Sequence, residues 1–268
     1  MRLFSPLWQK RDFLMEVEPG VCIPAELDDY MVYWVFVHGY RSDASVRLSR
    51  ELILPGDTVV DVGAHIGLWV MGAARRAGEG GSVHAFEPVP ENFARLASNL
   101  RRNRLERIQA VRLALSEGSG SLTMFKPTYN NSGHPSLGSR EGVDVPFLVE
   151  TTTLDRYCQE RSLEPVDFVK IDVEGAELLV LRGSDRVLST KVPPAILFEV
   201  NEETAARLAV STRDVKRFLT NRGYSLFRLG GGRLHAVDPD VAEKPGDLFA
   251  FQPHHFRRHP ILRTLRGD

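Results

Sequence analysis

A chain of 268 residues with 43% hydrophobic and 26% charged side chains has the make-up of a soluble globular domain, long enough to bury most of its unfolded surface. Its formal net charge of −1 excludes an overall field drawing it to nucleic acid or to an anionic membrane, so neither is expected as a partner. Cys22 and Cys158 lack metal-ligand or redox spacing, no signal-peptide core is visible, and the longest apolar run, Met31 to Val37, is far too short to cross a bilayer; the expected location is the reducing cytoplasm.

Residues 1–50 are expected to form a small N-terminal cap. Phe13 to Val17 and Val21 to Ile23 read as short strands about a Pro19-Gly20 turn. Met31 to Val37 fits either a strand or the buried side of a helix, and Arg41 to Leu54 reads as a helix. Such a cap would help form a substrate pocket or a subunit interface, as in a homodimer. From 51 to 253 strands alternate with helices, the pattern of a doubly wound α/β sheet. A β-branched run ends at Asp61-Val62-Gly63, and Ile66, Trp69, Val70, Ala73 and Ala77 then recur at helical spacing up to Gly78. Ser82 to Phe86 is a second strand, Pro90 opens a helix with Phe93, Leu96, Ala97 and Leu100 on one face, and Ile108 to Leu113 is a third strand.

Leu122 to Phe125 alternates like an extra strand, whereas residues 126–142 break every period. That polar run, with Tyr129, Asn130, Asn131, Ser132, His134 and Ser136, is expected to be a lid. Val143 to Val149 is extended again, Thr153 caps a short helix, and Val166 to Asp172 is the fourth core strand. The helix after it is expected to turn Ala176, Leu179, Val180 and Gly183 inward. Ala195 to Glu199 is a fifth strand. Ser211 to Arg222 is a helix stopped by Gly223, and Tyr224 to Leu229 with Leu248 to Phe251 would close the sheet as an antiparallel pair. Residues 254–268 form a basic tail, expected at the surface.

Strand, glycine turn and helix from Gly56 to Gly67 make a cofactor cradle, because that geometry presents backbone N–H groups to a ligand. The order D-x-G-x-x-x-G lacks the middle glycine of the dinucleotide fingerprint and leads with an acid, which suits a ligand carrying an ammonium group better than a pyrophosphate. S-adenosylmethionine has that amine and a sulfonium. Glu87, 24 positions after Gly63, can accept hydrogen bonds from both ribose hydroxyls; its plainer role is a helix-entry acid. The end of the third strand, at Leu115-Ser116, is where an adenine would lie.

Asp61-Val62-Gly63-Ala64-His65-Ile66-Gly67, Phe86-Glu87-Pro88 and Lys170-Ile171-Asp172-Val173-Glu174-Gly175-Ala176-Glu177 together resemble the FkbM family of S-adenosylmethionine-dependent methyltransferases, from about Gly56 to Phe251. His65 departs from the asparagine usual there. The resemblance implies a class I methyltransferase fold, Rossmann-like and α/β, with a seven-stranded doubly wound sheet. It also implies O-methylation of a hydroxyl on a small molecule, a sugar or a polyketide. Carried over by position, Asp61, Gly63, His65 and Gly67 hold the methionine end, Glu87 the ribose, and Leu115 and Ser116 the adenine, with Asp172 facing the reactive end.

An alcohol is a poor nucleophile and needs a base or a metal. His134 in the lid is the base candidate, with Asp172 and Glu174 as the other catalytic candidates. Asp172, Glu199 and Asn201 at the carboxyl edge form a candidate Mg²⁺ site, against the reading that the carboxylates only orient substrate or cofactor. The polar lid favours a sugar acceptor over an apolar macrocycle. Rival functions are a nicotinamide dehydrogenase, a non-catalytic nucleotide-binding domain and, through the basic tail, a macromolecular methyltransferase.

Overall fold

The computed structural model describes residues 13–27, 29–40, 43–127, 137 and 144–267. Strands β1 (Leu14–Glu18) and β2 (Val21–Pro24) pair as an antiparallel hairpin. Helix α1 (Tyr30–His38) starts at Asp29, whose side chain accepts the Met31 N–H at 2.9 Å. That cap supplies the start signal that periodicity lacked, so the run from Met31 is helical rather than extended. Asp43 caps α2 (Ala44–Glu51) through the N–H groups of Ser45 and Val46 in the same way.

The main layer then builds through β3 (Thr58–Val62), α3 (Leu68–Ala77), β4 (Ser82–Phe86), α4 (Pro90–Arg102) and β5 (Gln109–Val111). Next come β6 (Ala114–Leu115), β7 (Gly120–Pro127) and β8 (Asp144–Thr152), which form a separate three-stranded sheet with β8 in the middle. The expected lid connects β7 to β8; Lys126 and Pro127 end β7 and Leu137 lines the cavity described below, while the others, including Tyr129, Asn130, Asn131, Ser132, His134 and Ser136, lie outside the described residues. The chain continues with α5 (Leu154–Arg161), β9 (Phe168–Ile171), α6 (Glu177–Arg182), α7 (Asp185–Leu188), β10 (Ala195–Val200), α8 (Glu202–Ala206), α9 (Thr212–Thr220), β11 (Ser225–Gly230), β12 (Arg233–Ala236), β13 (Gly246–Phe251), α10 (Pro253–Arg258) and α11 (Pro260–Arg266).

The large sheet has the order β12-β11-β13-β10-β9-β3-β4-β5. β5, β4, β3, β9 and β10 run parallel, while β13 is antiparallel to both of its neighbours. This is the seven-stranded, doubly wound arrangement with a late antiparallel strand expected from the sequence, plus the unforeseen edge strand β12. The chain reverses its direction of travel between β3 and β9, which puts a crevice at the carboxyl ends of those strands.

Each sheet face has its own core. Val59, Phe168, Leu197 and Phe249 pack with Val32, Val35, Val46 and the α3 residues on one face. Val60, Val169, Ile196 and Ala250 pack with Leu154, Leu178 and Leu219 on the other. Alternate residues of each strand therefore belong to opposite faces, as the period of two requires.

One expectation is corrected and one is sharpened. α6 begins at Glu177, so it buries Leu178, Val180 and Leu181, and Leu179 is only half-buried. The basic tail lies mostly at the surface, as expected, and is anchored there: Leu262 is fully buried, and Arg258 donates to the carboxylates of Asp57 and Asp167, which precede β3 and β9. Its apolar anchors were hidden among arginines. Both cysteines are free, and among the described residues no helix is long and apolar enough to cross a membrane.

Candidate active site

A cavity of about 440 Å³ opens at the crevice, and its walls come from both the sheet edge and the N-terminal cap. The sheet side starts with the turn after β3. The N–H groups of Gly63 and Ala64 both donate to the Phe86 carbonyl, at 3.0 and 2.9 Å, tying the turn to β4. Gly63 has φ +84°, and a Cβ there would overlap the Asp172 carbonyl oxygen. No other residue fits both the dihedral and the approach of the strand β9 end.

His65 also lies in the left-handed region, at φ 50°. Asparagine, aspartate and histidine are the non-glycine residues enriched there, which accounts for histidine standing where asparagine was expected. Burial, reinforced by Arg95, lowers its pKa to about 4, so the ring is neutral at physiological pH. Its backbone N–H donates to Glu87 Oε2 at 2.8 Å, and the Val89 N–H donates to Glu87 Oε1 at 2.9 Å. Burial pushes the Glu87 carboxyl up to about 7 despite those bonds. The Asn92 side chain is a third donor to Glu87, which leaves the carboxylate about one lone pair to spare. Leu113, Ala114, Leu115 and Val89 make an apolar wall beside it.

The second half of the site is a row of charges across one sheet face. Asp61 on β3 is directly paired with Lys170 on β9, and Glu199 on β10 is paired with Asp247 on β13. All four share the parity of Val59, Phe168, Leu197 and Phe249, and so share the face that the cap covers. Lys170 Nζ lies 2.9 Å from Asp172 Oδ2 and 3.6 Å from Asp61 Oδ1. Asp61 is fully buried, and neither of its oxygens has a hydrogen bond among the described residues. Its carboxyl is raised to about 6 by burial, with Lys170 opposing the shift. Burial raises Glu199 as well, reinforced by Asp172, Glu174, Glu177 and Asp247, and it raises Asp247, reinforced by Asp172. Tyr40 of the cap faces the same row; burial pushes its phenol well above the ordinary range.

The structure gathers Gly63, His65, Glu87, Leu115, Asp172, Glu174 and Glu199 around the cavity and leaves other candidates off its wall. Asp61 lies behind Lys170. Gly67 begins α3 at φ +92°, where a Cβ would come 2.7 Å from Leu96, so it is a packing glycine. Ser116 is held in the small sheet by its N–H bond to Thr152 O, with its carbonyl against Gly183. Asn201 caps α8, its Oδ1 accepting the Glu203 N–H at 3.1 Å, which uses the atom proposed as a metal ligand. Among the described residues no three His, Cys, Asp or Glu side chains converge to hold a metal, so the Mg²⁺ expectation finds no donor set. His134 lies outside the described residues.

Lys170, Asp247 and Tyr40 were missed. A usable signal existed: buried strands are expected to be nearly continuous apolar runs, and a charge interrupts each of V-V-D-V, F-V-K-I and L-F-E-V.

The family model for the methyltransferase FkbM domain matches residues 61–226. The chain is 32% identical over 156 residues to the 31-O-demethyl-FK506 methyltransferase FkbM of Streptomyces tacrolimicus, covering 48% of this chain and 60% of that one. It is 28% identical over 178 residues to the 2-O-methyltransferase NoeI of Sinorhizobium fredii, covering 58% and 70%. To the hexuronic acid methyltransferase AglP of Haloferax volcanii it is 31% identical over 145 residues, covering 54% and 57%. The match thus spans roughly three-fifths of the length of most of these curated relatives.

Proposed function

The chain belongs to the FkbM methyltransferase family, and from that premise we propose that it transfers a methyl group from S-adenosylmethionine to a hydroxyl of a small molecule. The observation that carries the reading is Glu87, a buried carboxylate held by two backbone N–H groups and the Asn92 side chain at one end of the cavity, with a lone pair left for a ribose hydroxyl. The donor set around it suits the cofactor. Glu87 would hold the ribose, the Leu113–Leu115 wall the adenine face, and the acids near Gly63 the amino group. When bound, the cofactor supplies an electrophilic methyl.

The protein's own part is alignment and exclusion of water. Positioning alone can lower a displacement barrier by ~7–11 kcal/mol. The cap residues Trp34, Val35 and Tyr40 line the cavity from the cap side, where they would help shield the reacting groups from water. At neutral pH the raised Asp247 carboxyl can take up the proton that an acceptor hydroxyl gives up.

A cavity of about 440 Å³ is near the low end for a drug-sized ligand, at about 300–1,000 Å³. The Glu199 and Asp247 carboxyls on its wall can bond hydroxyls, and a sugar-sized acceptor is the class we favour. The relative named for FK506, together with the apolar Met31 and Trp34 on the cap wall, supports a polyketide edge as the second reading. Calorimetry with S-adenosylmethionine and S-adenosylhomocysteine tests the core of this: binding of both is expected, and a protein that ignores both overturns it. Transfer of labelled methyl to a panel of sugars and macrolides then separates the acceptor classes.

A further inference from the structure

Six carboxylates line the cavity among the described residues (Asp43, Glu87, Asp172, Glu174, Glu199 and Asp247), against a single Lys or Arg, Lys170. Most of them are committed. Asp43 caps α2, and Glu87 accepts two backbone N–H groups. Asp172 is paired with Lys170. Lys170 is itself held from behind by Asp61, a fully buried carboxylate whose other polar needs are unmet, so its positive charge is divided between Asp61 and Asp172 and only partly offsets Asp247, as Arg228 also does. Arg50, the next cation on that side, is ion-paired with Glu18 and donates to the Leu68 carbonyl at 2.8 Å. His65 is neutral.

Glu174 is engaged as well, which leaves Glu199 and Asp247. They face each other across β10 and β13 on the capped side of the sheet, and the structure gives neither a hydrogen bond nor an ion pair among the described residues. Ionised together, two opposed carboxylates repel each other and any further anion, a repulsion that Lys170 and Arg228 lessen only in part at Asp247. A cationic group placed between them relieves that repulsion.

Building on the methyl-transfer reading, we propose that this cavity selects its acceptor by charge: it takes a hydroxyl compound that carries an amine, and turns away one that carries a carboxylate or a phosphate. The raised Glu199 and Asp247 carboxyls agree with this, because burial and mutual repulsion are what a bound ammonium would offset. The acceptor would differ in charge from the hexuronic acid in the name of one relative.

Three sugars that share one ring and differ in charge test this: glucosamine, glucose and glucuronic acid. Each is titrated into the full chain at pH 7, with and without saturating S-adenosylhomocysteine, whose sulfur is uncharged. The expected order is glucosamine, then glucose, then glucuronic acid, with about tenfold or more between the first and the last. In the double variant Glu199→Gln with Asp247→Asn that gap should close. Should the double variant fail to fold, the order on the unaltered chain decides alone. Equal binding, tighter glucuronic acid, or no binding of any of the three overturns the proposal. Absence of S-adenosylhomocysteine binding would count against the methyl-transfer reading instead, and the cofactor-free titration would still decide the charge order.

Discussion

The two ends of the cavity hold carboxylates by opposite means. At the β3–β4 end, Glu87 is fixed by backbone N–H groups from His65 and Val89, donors that cost nothing further to orient because the turn already holds them. At the β9–β10–β13 end, Asp61, Asp172, Glu199 and Asp247 depend on one another and on Lys170, all brought together by strand register. Backbone-held acids are insensitive to their neighbours' chemistry. Side-chain-held acids fail together, and that coupling makes the second end the more adjustable part of the site.

The largest effect should come from breaking the second end at its one cation. Lys170→Met leaves Asp61 fully buried and Asp172 unpaired, a change that costs about 3–5 kcal/mol when the partner stays charged. Asp61 already titrates near 6 with Lys170 present, and losing the cation raises it further. Protonation then removes the buried charge, so the loss should be smaller at pH 5 than at pH 8. Urea midpoints of both proteins at the two pH values check this, and an equal loss would show that Lys170 acts by packing alone.

The backbone-built end breaks at its turn. Gly63→Ala forces a Cβ into the Asp172 carbonyl at a positive φ and should cost about 3 kcal/mol, with cofactor binding lost in whatever folds. The same substitution at Gly78, where no atom lies within 4 Å, meets only the dihedral penalty and serves as the control.

The same contrast explains what could be read from the chain. The Gly63 turn, Glu87 at the end of the next strand and the Asp172 loop are local in sequence, so their spacing announced them, and the alternation of strands and helices announced the sheet. The pairing of Asp61 with Lys170 joins residues 109 positions apart, and that of Glu199 with Asp247 joins residues 48 apart. Register of this kind is decided by the assembled sheet, and local pattern carries no trace of it. Gly67, Ser116 and Asn201 lie off the cavity wall. Each has a residue type and spacing that suggested a ligand role, and in the fold each makes a packing contact, a ladder bond or a helix cap that local pattern did not announce. Helix α1 was ambiguous for want of an apolar stripe, and only the Asp29 cap decided it.

A gentler substitution sharpens the first end. In Glu87→Gln one amide oxygen still accepts a backbone N–H, while the new NH₂ group opposes the other donor and leaves it buried without a partner. S-adenosylhomocysteine affinity should fall about tenfold, near 1.4 kcal/mol, by calorimetry. Folding stability should change little, because removing a buried charge offsets the lost bond. Unchanged affinity would mean that Glu87 serves the turn and not the ribose.

The smallest effect separates the two ends by pH. Glu199 is raised from its ordinary value to about 9, by burial first and then by Asp172, Glu174, Glu177 and Asp247, with Lys170 the nearby cation on the same face. An acid whose folded pKa lies above its unfolded one binds more protons when folded, so stability falls as pH rises between the two values. Its contribution is therefore complete below about pH 4.5 and lost progressively toward pH 9. Glu199→Gln removes that titration while keeping the side-chain shape. The variant should melt a few degrees above the unaltered protein at pH 8 and match it at pH 4. A melting difference of the same size at both values would place the effect in packing. A variant less stable at pH 8 would mean that the Glu199 charge is already compensated there, against the acidic, cation-seeking character assigned to this end of the cavity.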